Sequence, residues 1–236
     1  MDLLGKKALV FGGTSGIGLA AARQLTKLGA KVIGFGRDPS KAAGESLEGL
    51  TFQKCDVLKR DELSAVFAEH APFDILISAA TGGERAIGPF LEMDLDGYQA
   101  SFAKLWGYTN VVRLGTAHLS ESGCIVLVSG APARRAKPGQ SALASVGGAV
   151  EQFVRAVAPE LAPRRINVVS PGVIDTPMFG SESDEKKNKL AAMTNKNLIP
   201  RPGTSDEVAQ GILFAVQNTF VTGTTIDVDG GWLHST

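Results

Sequence analysis

Three glycines at the end of a short apolar run, Gly12, Gly16 and Gly18, mark the first place in the chain where residue types and spacing point to chemistry. They stand in Gly12-Gly13-Thr14-Ser15-Gly16-Ile17-Gly18, between a strand-like run, Lys7–Phe11, and an apolar-periodic helical stretch, Gly16–Leu28. Glycines in that context allow a tight turn, close approach of the backbone to a pyrophosphate and close packing of helix on sheet. The helix start adds free N–H groups and the positive end of the helix dipole, which suit an anion. The second apolar run ends at Gly36-Arg37. Where such a unit holds NAD, an acidic residue near this point accepts a hydrogen bond from the ribose 2′-hydroxyl. Gly36 offers no carboxylate, and the Arg37 guanidinium can pair with a 2′-phosphate. The residues therefore predict a nicotinamide dinucleotide site of the NADP(H) kind. Asp56, in Cys55-Asp56-Val57, either hydrogen-bonds an adenine amino group or caps the following turn.

The elements that must position these residues follow from periodicity. Apolar, mostly β-branched runs at Lys7–Phe11, Lys31–Phe35, Thr51–Cys55, Phe73–Ser78, Cys124–Ser129, Arg165–Ser170 and Thr224–Val228 read as strands buried on both faces. Helical stretches separate them: Gly16–Leu28, Arg60–His70, Asp94–Leu119, Gln140–Leu161, and Ser205–Val216 with Ser205 as N-cap. Alternation of this kind predicts right-handed crossovers and an α/β fold. The expected architecture is a Rossmann-type doubly wound parallel sheet of about seven strands, in three α/β/α layers and one domain over 1–236. The polar stretch Met178–Pro202 reads as a mobile excursion over a site or as a solvated helix.

Composition narrows the class. Lys+Arg and Asp+Glu both number 24, so no whole-molecule field favours nucleic acid or an anionic membrane. No segment approaches a membrane span, and no signal peptide is evident after Met1-Asp2, so a cytoplasmic protein is expected. Cys55 and Cys124 sit in apolar runs without ligand spacing, as reduced core thiols, and no metal site is expected.

These motifs resemble those of the short-chain dehydrogenase/reductase family, over nearly the whole chain. Gly12-x-x-x-Gly16-x-Gly18 matches the family's TGxxxGxG, with Phe11 in place of its Thr. Asp56-Val57 matches the adenine-contact pair, and Phe73–Ile77 the fourth strand. Ile166–Met178, containing Pro171-Gly172, matches the sixth strand and its turn. Val221-Thr222-Gly223 and Val228–Trp232 match the last strand and its exit. By resemblance, Ile174 and the Thr176 hydroxyl would hold the nicotinamide carboxamide and a nearby phosphate. The family's Asn-Asn-Ala-Gly after the fourth strand becomes Ser78-Ala79-Ala80-Thr81, which places Ala79 and Ala80 at the cofactor.

The chemical end departs from the pattern. The family's Ser, Tyr and Lys, the last two spaced Tyr-x-x-x-Lys, fall at Gly130, Leu143 and Gly147, and its helix-borne Asn falls at Lys104. A phenol with an ordinary pKa near ~10 needs a neighbouring cation to work near neutrality, so losing both removes the proton donor. Tyr98 and Tyr108 lack a lysine four residues on, and His70, His118 and His234 read as surface or packing residues. Proton delivery would fall to water, to the substrate, or to Lys104, Ser129, Ser141 or Ser145. Gly147 would also free the volume of the family's lysine, into which the Lys104 stem could reach. Two readings follow. One is an NADP(H)-binding oxidoreductase with non-standard or weak catalysis on a small carbonyl or alcohol. The other is a catalytically silent NADP(H)-binding sensor or partner subunit. Family habit also implies a homodimer or homotetramer, which the small residues Ala142, Ala144, Gly147, Gly148 and Ala149 would permit. The missing side chains predict turnover of a plain ketone far below a kcat of about 10 s⁻¹, the median for enzymes. NADPH oxidation measures it, and a rate of that size would mean another residue does the work.

Overall fold

Along Lys7–Phe11 successive side chains part company: Ala8 and Val10 join one apolar cluster, Leu9 and Phe11 another. A strand with that alternation has helices on both sides. The computed structural model describes residues 1–81, 83 and 85–235. The order is β1 (Lys7–Phe11), α1 (Gly16–Lys27), β2 (Lys31–Gly36), β3 (Leu50–Lys54), α2 (Arg60–His70), β4 (Phe73–Ser78), α3 (Leu95–Ser101) and α4 (Ala103–Gly115). It continues with β5 (Leu119–Val128), α5 (Ser141–Leu161), β6 (Arg165–Pro171), β7 (Ile174–Asp175), α6 (Asp184–Thr194), β8 (Gly203–Thr204), α7 (Ser205–Gln217) and β9 (Thr225–Val228).

Seven strands form one parallel sheet in the order β3-β2-β1-β4-β5-β6-β9, and β7 pairs with β8 apart from it. Phe11 lies opposite Phe35 on one side and Ser78 on the other, so the ends of β1 and β4 stand level where the strand order reverses. Such a reversal opens a crevice at the carboxyl ends of the strands. Leu25 of α1 and Ile212 of α7 belong to the core on one face. Phe67 of α2, Val111 of α4 and Val154 of α5 belong to the core on the other. Among the described residues no helix is long and apolar enough to cross a membrane.

The structure corrects several boundaries. The helix expected over Asp94–Leu119 is two helices that part at Phe102, and Leu119 already begins β5. At the break the Ser101 hydroxyl donates to the Gly97 carbonyl, a local bond that competes with regular helix, while accepting from Ala86 N–H. The cap of α7 is Thr204 rather than Ser205. Thr204 Oγ1 accepts from Glu207 N–H, and the Glu207 carboxylate accepts from Thr204 N–H, closing a capping box. Within Met178–Pro202 the middle is a helix, with Glu185, Lys187, Asn188 and Lys189 exposed. Lys186 is the exception in that charged run: it is buried, and its Nζ lies 2.7 Å from Asp175 and 2.6 Å from Glu182. It thereby ties α6 to β7, beside the cleft.

Phe67 is fully buried, its ring 5.5 Å from that of Phe11 and 5.8 Å from that of Phe73. Phe67→Ala should cost about 3–5 kcal/mol of stability. Phe220→Ala, at a residue 99% exposed, should change it by less than about 0.5 kcal/mol. Urea denaturation of the two variants checks both.

Candidate cofactor cleft and active site

The cleft begins where β1 turns away from β4. A Cβ on Gly12 would lie 2.7 Å from Ala80 N and 2.8 Å from the Ala79 carbonyl carbon, and φ there is +77°. Only glycine meets both demands. A Cβ on Gly18 would overlap the Gly12 carbonyl oxygen, so α1 is packed directly on the turn. The turn is tied to β2 by Gly12 N–H and Gly13 N–H, both donating to the Phe35 carbonyl, at 2.8 and 3.0 Å. Ser15 is the N-cap of α1, but no side chain caps the helix and no acid lies in its first turn. The helix N-terminus is thus left to serve an anion in the cleft.

From this turn extends a cleft of about 310 Å³. Every residue assigned from sequence to the cofactor lines it. Gly12, Thr14, Ser15, Gly16, Ile17 and Gly18 form one end. Arg37, Asp56 and Val57 border it at the ends of β2 and β3, and Ala79 and Ala80 follow β4. Pro171, Gly172, Ile174 and Thr176 close the opposite wall, beyond β6. Thr176 stands against the glycine turn: its methyl would be 3.6 Å from a Cβ on Gly16.

At the β2 end no side chain fits at position 36, and the next acid, Asp38, borders the cleft with one of its oxygens engaged. A Cβ on Gly36 would overlap the Thr14 hydroxyl. Asp38, next along, accepts from Ser40 N–H at 3.1 Å and Ser40 Oγ–H at 2.6 Å. Those bonds hold its carboxyl below the usual range. Arg37 and Lys41 both line this part of the cleft. Asp56 faces the cleft while one of its oxygens accepts from Leu58 N–H at 3.0 Å, so turn capping leaves its other oxygen for a ligand.

The chemical end is built from α4, the end of β5 and α5. Lys104 points inward: Nζ donates to the Ser129 carbonyl at 3.2 Å and sits 5.6 Å from the Tyr108 ring centroid. Burial, with Arg85 adding like-charge repulsion, pushes its pKa down to about 8. The Ser129 hydroxyl donates back into α5, with the Gly147 carbonyl at 3.2 Å and the buried Glu151 carboxylate at 3.4 Å. Its proton is therefore committed away from the cleft. The Tyr108 hydroxyl donates to the Val128 carbonyl at 2.9 Å, and burial raises its pKa well above the ordinary. Tyr98 instead meets Ser145 at 2.9 Å. Ser141 faces Met93, and neither it nor Ser145 borders the cleft.

Gly130, Leu143 and Gly147 line a second pocket of about 60 Å³, which shares Thr81, Arg85, Lys104 and Ser129 with the cleft. The space expected beside Gly147 is only partly open. A Cβ there would lie 2.9 Å from Ala133 Cβ and 3.2 Å from Ser129 Oγ, because the turn at Ala131–Ala133 packs onto α5. Arg85, Lys41 and Phe179 also line the cleft, although motif spacing does not single them out. Lys41 had a signal, a second cation four residues after Arg37; Arg85, on the loop after β4, had none.

Sheet order and cleft define a Rossmann-type α/β protein whose ligand site lies at the strand-order reversal. The family described as Enoyl-(Acyl carrier protein) reductase matches residues 12–233. A 3-oxoacyl-[acyl-carrier-protein] reductase of Chlamydia muridarum is 30% identical, covering 97% of this chain and 98% of its own. L-xylulose reductase of Bos taurus is 29% identical, covering 99% and 98%. Among solved structures, ligand-free aldohexose dehydrogenase of Thermoplasma acidophilum superposes with a TM-score of 0.88 at 28% identity, covering 100% and 96%. A small-chain dehydrogenase in complex with NADPH gives 0.81 at 28%, covering 96% and 98%. The chain belongs to the short-chain dehydrogenase/reductase family, whose members bind nicotinamide cofactors.

Gly147→Lys should destabilise the fold by about 1–3 kcal/mol through overpacking against Ala133. Gly130→Ser, where the nearest atom to a new Cβ is 3.6 Å away, should stay within about 0.5 kcal/mol. Chemical denaturation distinguishes the two.

Proposed function

We propose that this chain is an NADP(H)-dependent oxidoreductase that reduces a small carbonyl, with the Lys104 ammonium as proton donor where the family uses a tyrosine. The inward position of Lys104, on the wall shared by the cleft and the small pocket, carries this reading. The cleft suits a dinucleotide on its own terms: the Gly12 approach would be closed by a Cβ, and the α1 terminus is uncapped. When bound, NADPH supplies the hydride. Arg37 and Lys41 would hold the 2′-phosphate, the α1 N-terminus the pyrophosphate, and the Pro171–Thr176 wall the nicotinamide end. Lys104 Nζ keeps one N–H on the Ser129 carbonyl and has two left for a substrate oxygen. A pKa lowered to about 8 makes it a far better acid than an ordinary lysine near neutrality. The small-chain dehydrogenase complexed with NADPH and the carbonyl-reducing names among the relatives support cofactor and direction.

Removing the Arg37 charge, as Arg37→Ala, should weaken NADPH binding by about 10- to 100-fold, the worth of a charge-assisted contact, and leave NADH nearly unchanged. Calorimetric titration of both cofactors decides it, and equal or tighter binding of NADH by the unaltered protein would refute the preference.

The ammonium is the required form for reduction. kcat/KM should hold below the Lys104 pKa of about 8 and fall as pH rises through it, with the oxidative direction showing the opposite slope. Lys104→Met should abolish that limb and most turnover while leaving the fold intact. A flat profile without turnover would favour the silent NADP(H)-binding reading instead.

A further inference from the structure

The small pocket beside the cleft has an unusual charge balance. Arg85 and Lys104 both border it, and among the described residues no aspartate or glutamate does. The remaining wall is largely apolar, from Pro132, Ala142, Leu143 and Val146. Lys104 Nζ has a carbonyl oxygen as its hydrogen-bond partner among the described residues, not a carboxylate. Arg85 is exposed along part of its length, yet desolvation lowers its pKa below the ordinary guanidinium value. Two cations turned towards one cavity repel each other and lose hydration, a cost that a bound anion reverses. Among the described residues the acids on the cleft wall, Asp38 and Asp56, belong to its β2–β3 end, and Glu151, buried behind Ser129, is already engaged by Arg134 and Arg155.

We infer that the pocket holds the carboxylate of the substrate, and that the substrate is a small oxo acid. Its carboxylate pairs with the planar fork of Arg85, and its carbonyl oxygen comes within reach of Lys104 Nζ. About 60 Å³ accommodates a small head group rather than a chain. The redox part rests on the reduction proposed above, with its balance unchanged: the carbonyl carbon gains the hydride, its oxygen the Lys104 proton, and solvent reprotonates the amine. The anion site stands on the pocket alone.

Pyruvate, acetoacetate and levulinate, each against its methyl ester, are the probes, titrated by calorimetry into the protein saturated with NADP⁺ and assayed for NADPH oxidation. At least one acid should bind about 10- to 100-fold more tightly than its ester, the ratio a charge-assisted pair supports. Arg85→Gln should remove that ratio while changing NADPH affinity less than twofold. Arg85→Lys, which keeps the charge but loses the fork, should restore part of it. Acids binding no better than esters would overturn the inference. So would an Arg85→Gln variant that discriminates as well as the unaltered protein, or one that weakens NADPH as much as the acid, which would assign the cation to the cofactor. Tight binding of an acid without any NADPH oxidation would uphold the anion site and refute the proposed reduction.

Discussion

The close approach of the first turn to the end of β4 is the constraint on which the rest of the molecule depends. At Gly12 two backbone segments meet with no room for a single carbon between them. That contact fixes where β1 parts from β4, and so where the sheet order reverses. It sets α1 directly above the turn, with an uncapped N-terminus facing the cleft. A larger residue at Gly12 or Gly18 would push helix from sheet, and the cleft would lose its floor and its positive potential together.

At the other end of the cleft, charge and packing are set by α4, α5 and the loop after β4. Here α5 presents Leu143 and Gly147, and the turn at Ala131–Ala133 has closed on the glycine. The cations come from other elements, Lys104 from α4 and Arg85 from the loop after β4. Lys104 is kept inside by its bond to the Ser129 carbonyl, with its ammonium 5.6 Å from the Tyr108 ring centroid. Glu151, buried behind Ser129, accepts from the Ser129 hydroxyl at 3.4 Å and is engaged by Arg134 and Arg155, at 3.3 and 3.4 Å. Among the described residues, Lys104 and Arg85 are the charged groups that border the small pocket.

Much of this was legible in residue order. Short, mostly β-branched apolar runs mark the seven strands to within a residue or two at most ends, because strands buried on both faces leave little choice of residue. The stretch Asp94–Leu119 reads as one helix because the break at Phe102 leaves no compositional mark. The start of β5 at Leu119 has no mark in the sequence because Ser120, Glu121 and Ser122 are polar, and they fall in an irregularity of register between the paired residues Leu119 and Cys124. The α7 cap went to Ser205 by residue type, whereas hydrogen bonding chose Thr204, one residue earlier.

Sequence by itself determined the sheet and the phosphate turn, since each is a matter of residue type at a fixed local spacing. It could not decide where Lys104 points, because a lysine stem reaches solvent or interior with equal ease. That choice was made by the Ser129 carbonyl and by the cavity that α5 leaves. Nor could it bring Arg85 to the same pocket, or show that Ala133 fills the space beside Gly147. Those are contacts between segments far apart in the chain, and only the packing of β4, α4 and α5 around one cleft creates them.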